Sequence, residues 1–279
     1  MNQHPRIPIV DCHCHIYPEK VAARAVAGIG AFYDIPMSED GTKATLQREA
    51  AAAGITHSMI FSVATKPAQV KSINEFIAGE AAQSGGVMTG LGTMHPLSED
   101  LAGDMRHLVE LGLRGVKLHP DVQGFCIDDP LCAKIYALCG EYGIPVLLHT
   151  GDRRYDMSNP NRLRPMVEKF PNLIFIGAHL GGYSVWEDAV EQLRGLPNLY
   201  YDCSSTFAFM PAEKAKALIL ALGADHVVFG TDYPMWVPKN EVDTFFSLGL
   251  SDEDNEQILW RNAAKLFRLD DAALQAALR

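Results

Sequence analysis

Eight times along this chain a short apolar run gives way to a stretch of helical character, and that alternation limits the available folds more than any other feature. The runs cover residues 9–16, 57–63, 87–94, 114–118, 145–149, 173–178, 199–204 and 226–230. Most are nearly continuous in apolar residues, as strands covered on both faces of a parallel sheet must be. Between them the pattern predicts helices over 19–32, 45–53, 68–82, 98–111, 130–141, 162–170, 185–193 and 211–222, with further helical stretches at 241–247 and 253–266. Gly54 and Gly112 supply stops, and Ser98 supplies an N-cap. A doubly wound open sheet would give the same string. The eight-fold count and the length of 279 residues favour an α/β architecture of the (β/α)8 TIM-barrel kind, which typically takes about 250 residues. No linker or composition break divides the chain, so one domain over 1–279 is expected. Its connection 17–41 is long enough for a lid or substrate-facing insertion, and 252–279 read as C-terminal helices.

Charge and composition remove several partners. The formal net charge is −10 and no lysine or arginine run occurs, which argues against a nucleic-acid backbone as partner. No apolar run is long enough to span a bilayer, and the stretch Met1 to Arg6 lacks the apolar core of a signal peptide. A cytoplasmic protein without a membrane partner is expected. The six cysteines, Cys12, Cys14, Cys126, Cys132, Cys139 and Cys203, form no Cys-x-x-Cys pair and read as small buried thiols.

The chemistry-bearing residues collect where these strands end. His13 and His15 close the first run, His95 the third, Lys117 and His119 the fourth, and His149 the fifth. His179 closes the sixth, Asp202 and Ser204 the seventh, and Asp232 follows the eighth. In this fold the active site lies at the C-terminal ends of several strands. Along an extended strand side chains alternate faces, so His13 and His15 share one face while Cys12, Cys14 and Ile16 share the other. By the same rule Lys117, between Val116 and Leu118, faces the barrel axis, where a lysine is costly unless paired or functional. Several neutral imidazoles with one carboxylate suit zinc, or iron, manganese or nickel. Asp232 would complete such a set and accept a proton from bound water; a helix cap or ion pair is its plainer use. Arg153 and Arg154 would grip a substrate carboxylate or lie solvated at the surface. Tyr155, Tyr183 and Trp236 would line a pocket or pack under loops.

In this order the residues resemble the amidohydrolase superfamily. The phrases Asp11-Cys12-His13-Cys14-His15, Gly115-Val116-Lys117-Leu118-His119-Pro120, Ala178-His179-Leu180-Gly181-Gly182, Gly230-Thr231-Asp232-Tyr233-Pro234 and Asn262-Ala263-Ala264-Lys265-Leu266-Phe267 resemble its amidohydrolase-2 branch. That branch includes aminocarboxymuconate-semialdehyde decarboxylase, related non-oxidative aromatic decarboxylases and lactone hydrolases. The resemblance runs from about residue 8 to residue 268. It implies that His13, His15, His149 and Asp232 hold a divalent metal, most often zinc, with Asp232, His179 and Lys117 as catalytic residues. His179 would be a second-metal ligand or a general acid/base. Lys117 departs from the decarboxylase pattern: carboxylated, it would bridge two metals; unmodified, it would hold a substrate carboxylate. One metal is expected. The implied activity is metal-dependent hydrolysis of a small carboxylated or cyclic amide, lactone or ester through an activated water. The alternative is non-oxidative decarboxylation of an aromatic or muconate-type acid. A TatD-type nuclease would carry glutamate where Lys117 stands, and a non-catalytic ligand-binding barrel would have no use for the full set. The expected partner is a small molecule, in a homodimer on base rates.

Overall fold

In the computed structural model, which describes residues 6–278, the apolar runs are parallel strands. They are β1 (Val10–His15), β2 (His57–Phe61), β3 (Met88–Gly90), β4 (Gly92–Thr93), β5 (Val116–Leu118), β6 (Val146–Leu148), β7 (Phe175–Gly177), β8 (Leu199–Asp202) and β9 (Val227–Val228). β3 and β4 are halves of one barrel strand, interrupted at Leu91. The Leu91 N–H still donates to Ile60 O at 2.9 Å, and the next N–H, of Gly92, turns to Gly115 O at 2.9 Å. The strands thus pair in sequence order from β1 to β9. Closure comes from Cys12 N–H to Phe229 O at 2.9 Å and His15 N–H to Tyr233 O at 2.7 Å. With no free edge left, the open-sheet alternative falls and the chain is a (β/α)8 barrel. Glycine is required at the split strand: a Cβ on Gly92 would stand 2.3 Å from Leu108 Cδ1, and one on Gly90 2.6 Å from Leu113 Cδ2.

Side chains sort into two cores. Val10, Cys12, Met59, Phe61, Leu91, Leu147, Ile176 and Val228 fill the barrel, joined by Trp260 and Phe267 from the C-terminal segment. Cys14, Ile60, Val116, Leu118, Val146, Leu148, Phe175 and Phe229 pack against the helices. This corrects the expected alternation in β1. Cys12 does not lie on the far face; it sits in the barrel interior beneath the histidines. The register of β1 against β2 shifts between Asp11 and Cys14, and such a bulge resets the parity of a strand. Val10 and Cys12 therefore face inward below it, and His13 and His15 face the cavity above it.

The first three helices are α1 (Glu19–Tyr33), α2 (Lys43–Ala53) and α3 (Val70–Ala82). Elsewhere the ends moved for local reasons. The fourth helix is Leu101–Glu110, capped by Asp100, whose Oδ1 accepts from Gly103 N at 2.8 Å, rather than by Ser98. The stretch expected at 253–266 is three pieces, Asp252–Glu256, a π-turn Gln257–Arg261 and Asn262–Phe267. No helix among the described residues is long and apolar enough to cross a membrane. Most of the N-terminal stretch read for a signal peptide lies outside them, and the cysteines within them are unpaired.

One polar residue at the base of β2 makes stability pH-dependent. His57 is buried and its Nε2 lies 2.9 Å from Thr89 Oγ1. Burial lowers its pKa from the ordinary 6.5 to about 4, against a smaller upward pull from Gly86. A depressed histidine favours folding while neutral, so its contribution is intact above pH 6.5 and is lost as pH falls through 4. A gap of that size corresponds to about 3 kcal/mol. Urea unfolding of His57→Gln and wild type should therefore show a stability difference that narrows between pH 7.5 and pH 4.5. An unchanged difference would contradict the assignment.

Candidate active site

Five of the six strand-end histidines converge on one cavity with Lys117, Ser205 and Asp232, flanked by Tyr17, Ile29, Tyr33, Met37, Tyr183 and Met235. His95 is the exception. Its ring is buried outside the cavity and its Nδ1 accepts from Leu97 N at 3.2 Å, a turn-capping role.

Second partners decide which way each imidazole points. His13 Nδ1 lies 2.9 Å from Asp202 Oδ2 and 3.1 Å from Ser204 Oγ. Its proton is held on that side, and Nε2 turns a lone pair to the cavity. His179 Nδ1–H donates to Ser204 O at 3.0 Å, and His149 Nε2–H donates to Gly151 O at 3.0 Å. Their remaining nitrogens, His179 Nε2 and His149 Nδ1, face each other at 3.0 Å. Burial lowers the pKa values of His15, His119 and His149 well below 6.5 and that of His179 to about 4, so all four are neutral at pH 7. Neutral imidazole is the ligating form.

This donor set fits a cation. His13 Nε2 and His15 Nε2 are 3.3 Å apart, and Asp232 Oδ1 is 3.4 and 3.7 Å from them. With the His15 proton on Nδ1, these are lone pairs that repel one another unless positive charge lies between them. Ligands of a tetrahedral ion, each about 2.1 Å from it, stand about 3.4 Å apart. Ligand atoms of His13, His179 and Asp232 all lie within 4.8 Å of one another. Asp232 Oδ2 accepts from Ser205 Oγ at 2.5 Å, and that oxygen accepts from Trp236 Nε1 at 2.7 Å, which fixes the carboxylate plane. Burial alone would raise the Asp232 pKa; His13, His179 and Ser205 outweigh it and hold the group below the ordinary range. A second group, His119, Asp121 and His149, adjoins the first.

Lys117 is fully buried and faces inward as its neighbours required, with Nζ 3.3 Å from His13 Nε2. Burial lowers its pKa to about 8 against the pull of Asp202 and Asp232. The backbone is strained where the site needs it. His179, Leu180 and Asp232 have φ of 57°, 54° and 59°, a region that costs non-glycine residues roughly 1–3 kcal/mol each. At Gly151 (φ 80°) a Cβ would stand 2.5 Å from Gly182 C and Tyr183 N, so glycine lets the β7 loop carry Tyr183 to the cavity wall.

The arginines are otherwise engaged. Arg154 chelates Asp152, with Nε–Oδ1 at 3.0 Å and a terminal nitrogen on Oδ2 at 2.7 Å. A further guanidinium nitrogen bonds Phe32 O at 2.6 Å, and the group lies 5.0–5.3 Å from the rings of Phe32, Tyr33 and Tyr155. Arg153 bonds Ser184 O at 3.0 Å. Neither lines the cavity, so both pin loops. Tyr155 packs beside Phe32 and Trp236 braces Ser205. Tyr33, at the end of α1, reaches His119 Nε2 at 2.8 Å and His149 Nε2 at 3.3 Å. Nothing in its sequence neighbourhood marked it, since those partners lie 86 and 116 residues away.

The chain is similar to known proteins in both sequence and fold. The amidohydrolase family model matches residues 10–269. The chain is 28% identical over 124 residues to the gamma-resorcylate decarboxylase of Polaromonas sp. (strain JS666 / ATCC BAA-500). That match takes in 38% of this chain and 37% of the relative, so the chain spans little more than a third of that relative's length. Among solved structures, an uncharacterized TIM-barrel protein from Bordetella bronchiseptica is 22% identical, with a TM-score of 0.77 over 97% of this chain and 100% of that one. The dihydroxybenzoic acid decarboxylase of Polaromonas sp. JS666, solved with bound manganese and the inhibitor 2-nitroresorcinol, is 18% identical, with a TM-score of 0.71 over 96% and 98% of the two chains. At such identities the structural likeness is one of fold. With the family model spanning nearly the whole barrel, the chain belongs to the amidohydrolase family and is an enzyme of its amidohydrolase-2 branch.

Proposed function

We propose that the enzyme is a metal-dependent, non-oxidative decarboxylase of an aromatic carboxylic acid. The observation that carries this reading is the sequence match to a gamma-resorcylate decarboxylase, and the walls of the cavity, with Tyr17, Tyr33 and Tyr183, suit a planar ring. It displaces hydrolysis from first place. Hydrolysis of an amide, lactone or ester through the same ligands is the second reading, favoured by the inward, fully buried Lys117.

In this proposal His13, His15, His149 and Asp232 hold one divalent ion, and the donor set suits zinc as well as manganese. Once bound, the ion supplies positive charge that polarises a substrate oxygen. The remaining steps belong to the protein. Lys117, unmodified, meets the substrate carboxylate through Nζ. His179 presents Nε2 to the same space, its other nitrogen committed to Ser204 O. Asp232, ionised in the free enzyme, takes the proton of the substrate's ring hydroxyl on binding and delivers it to the ring carbon that bears the carboxylate. The carbon–carbon bond then breaks, its electron pair restores the aromatic ring, and carbon dioxide leaves. The tyrosines and Met235 keep water from the protonated carbon.

The test is a panel on metal-replete protein, with hydroxybenzoates and muconate-type acids scored for carbon dioxide and lactones and amides scored for ring opening or cleavage. Carbon dioxide from at least one aromatic acid is expected. Turnover confined to lactones or amides would overturn decarboxylation in favour of the second reading.

A further inference from the structure

A groove of about 790 Å3 leaves the active site between α1 and α3, within the size range of pockets that hold whole small molecules. One wall is a stripe of α1: Val21, Ala25, Gly28, Ile29 and Phe32, at the i, i+4, i+7, i+8, i+11 spacing of a single helical face. Val63, Ile73 and Phe76 stand across from it. An amphipathic helix ordinarily buries such a stripe, yet only Ala22 of α1 is buried. At its inner end the groove shares His15, Tyr17, Ile29 and His119 with the catalytic cavity. Lys20 and Arg24 also line the groove, exposed and in no ion pair among the described residues. From Ile29, Arg24 is five residues along the helix and Lys20 nine, or roughly 7 and 13 Å at the helical rise.

We propose that this groove is an arm of the active site, shaped for an elongated aromatic dicarboxylate. The near carboxylate and ring lie at the histidines, an apolar segment lies along α1, and a second carboxylate meets Lys20 and Arg24. The groove's continuity with the catalytic cavity and the unpaired cations on its wall select this occupant over a wholly apolar one. The placement of the near carboxylate rests on the decarboxylase reading; the arm does not.

The test is calorimetric binding to metal-loaded, full-length protein with three probes. These are 2-hydroxybenzoate, its 4-(4-carboxybutoxy) derivative, and the neutral-ended 4-pentyloxy derivative. Gly28→Trp should fill the groove without disturbing α1, since its φ is ordinary and a Cβ there meets nothing within 4 Å. In the wild type the diacid should bind at least ten-fold more tightly than 2-hydroxybenzoate. Gly28→Trp should cut that preference to within two-fold while leaving 2-hydroxybenzoate affinity unchanged. The Lys20→Ala/Arg24→Ala double variant should bring the diacid to the level of the pentyloxy probe. Equal affinity for the short and long probes, absence of binding included, would overturn the arm, as would an undiminished preference in Gly28→Trp. Sedimentation runs alongside: a wild-type dimer that Gly28→Trp dissociates, with the probe ratio unchanged, would make the groove a contact between copies and overturn the proposal. Tight diacid binding without carbon dioxide release would remove decarboxylation and leave the arm standing.

Discussion

Replacing His13 and His15 together with alanine is expected to strip the protein of its divalent metal and of all turnover, where the wild type should carry about one ion per chain. The double variant removes two of the four proposed ligands and leaves His149 and Asp232. It also strands Asp202, whose carboxylate is buried and bonded to His13 Nδ1 at 2.9 Å. Loss of metal through simple misfolding is therefore a real competitor, and His15→Ala alone separates the two. The polar contacts of His15's ring nitrogens are with the site itself, to His13 Nε2 and Asp232 Oδ1, so its removal orphans no buried charge. His15→Ala should keep the wild-type far-ultraviolet spectrum, yet lose the melting-temperature increase that added metal gives the wild type. At a thousand-fold excess over Kd that increase corresponds to about 4 kcal/mol. Metal at wild-type stoichiometry in the double variant, by elemental analysis, would sink the ligand assignment.

What made the barrel and most of its site legible in the sequence was local periodicity. Val116 and Leu118 on one face force Lys117 to the other, and the structure has it buried there beside His13. The rule failed where the backbone departs from the regular strand. The bulge between Asp11 and Cys14 turned Cys12 inward, and no side-chain pattern announces a change of parity. The residues that orient the ligands were only half visible. Asp202 and Ser204 stood at the right strand end, but their bonds to His13 and His179 are 189 and 25 residues long in sequence. Arg154 shows the converse. Its charge suggested a substrate contact, yet Asp152 two residues earlier and the α1 carbonyl of Phe32 satisfy it. Local composition specifies which groups reach the rim of the barrel; distant loops specify what they are free to do there.

Asp232→Asn is expected to lower kcat by roughly 10²–10⁴ while keeping most of the metal, and that separation is the sharpest test of the proton-transfer role. Asn retains an oxygen where Oδ1 faces His13 and His15 at 3.4 and 3.7 Å, so one ligand atom survives. It cannot carry the acidic proton. Its amide also turns an N–H toward Ser205 Oγ in place of the Oδ2 that accepts at 2.5 Å. Ser205 already accepts from Trp236 Nε1 at 2.7 Å, and it adapts by accepting once more. If Asp232 serves only as a ligand, kcat should fall in proportion to metal content and recover on reloading with excess ion. If it transfers the proton, fully reloaded Asp232→Asn should stay slow, with KM within a few-fold of wild type, because binding through Lys117 and the tyrosines is untouched. Ser205→Ala supplies the intermediate case. It leaves the carboxylic acid in place but frees its plane, so it should keep the metal, lose less of kcat than Asp232→Asn, and move the basic limb of the kcat–pH profile upward, since an acid that must be protonated sets that limb and the Ser205 bond helps hold the Asp232 pKa down. A Ser205→Ala profile that overlays the wild type would show that the carboxylate is oriented by the ion and not by the Trp236–Ser205 pair.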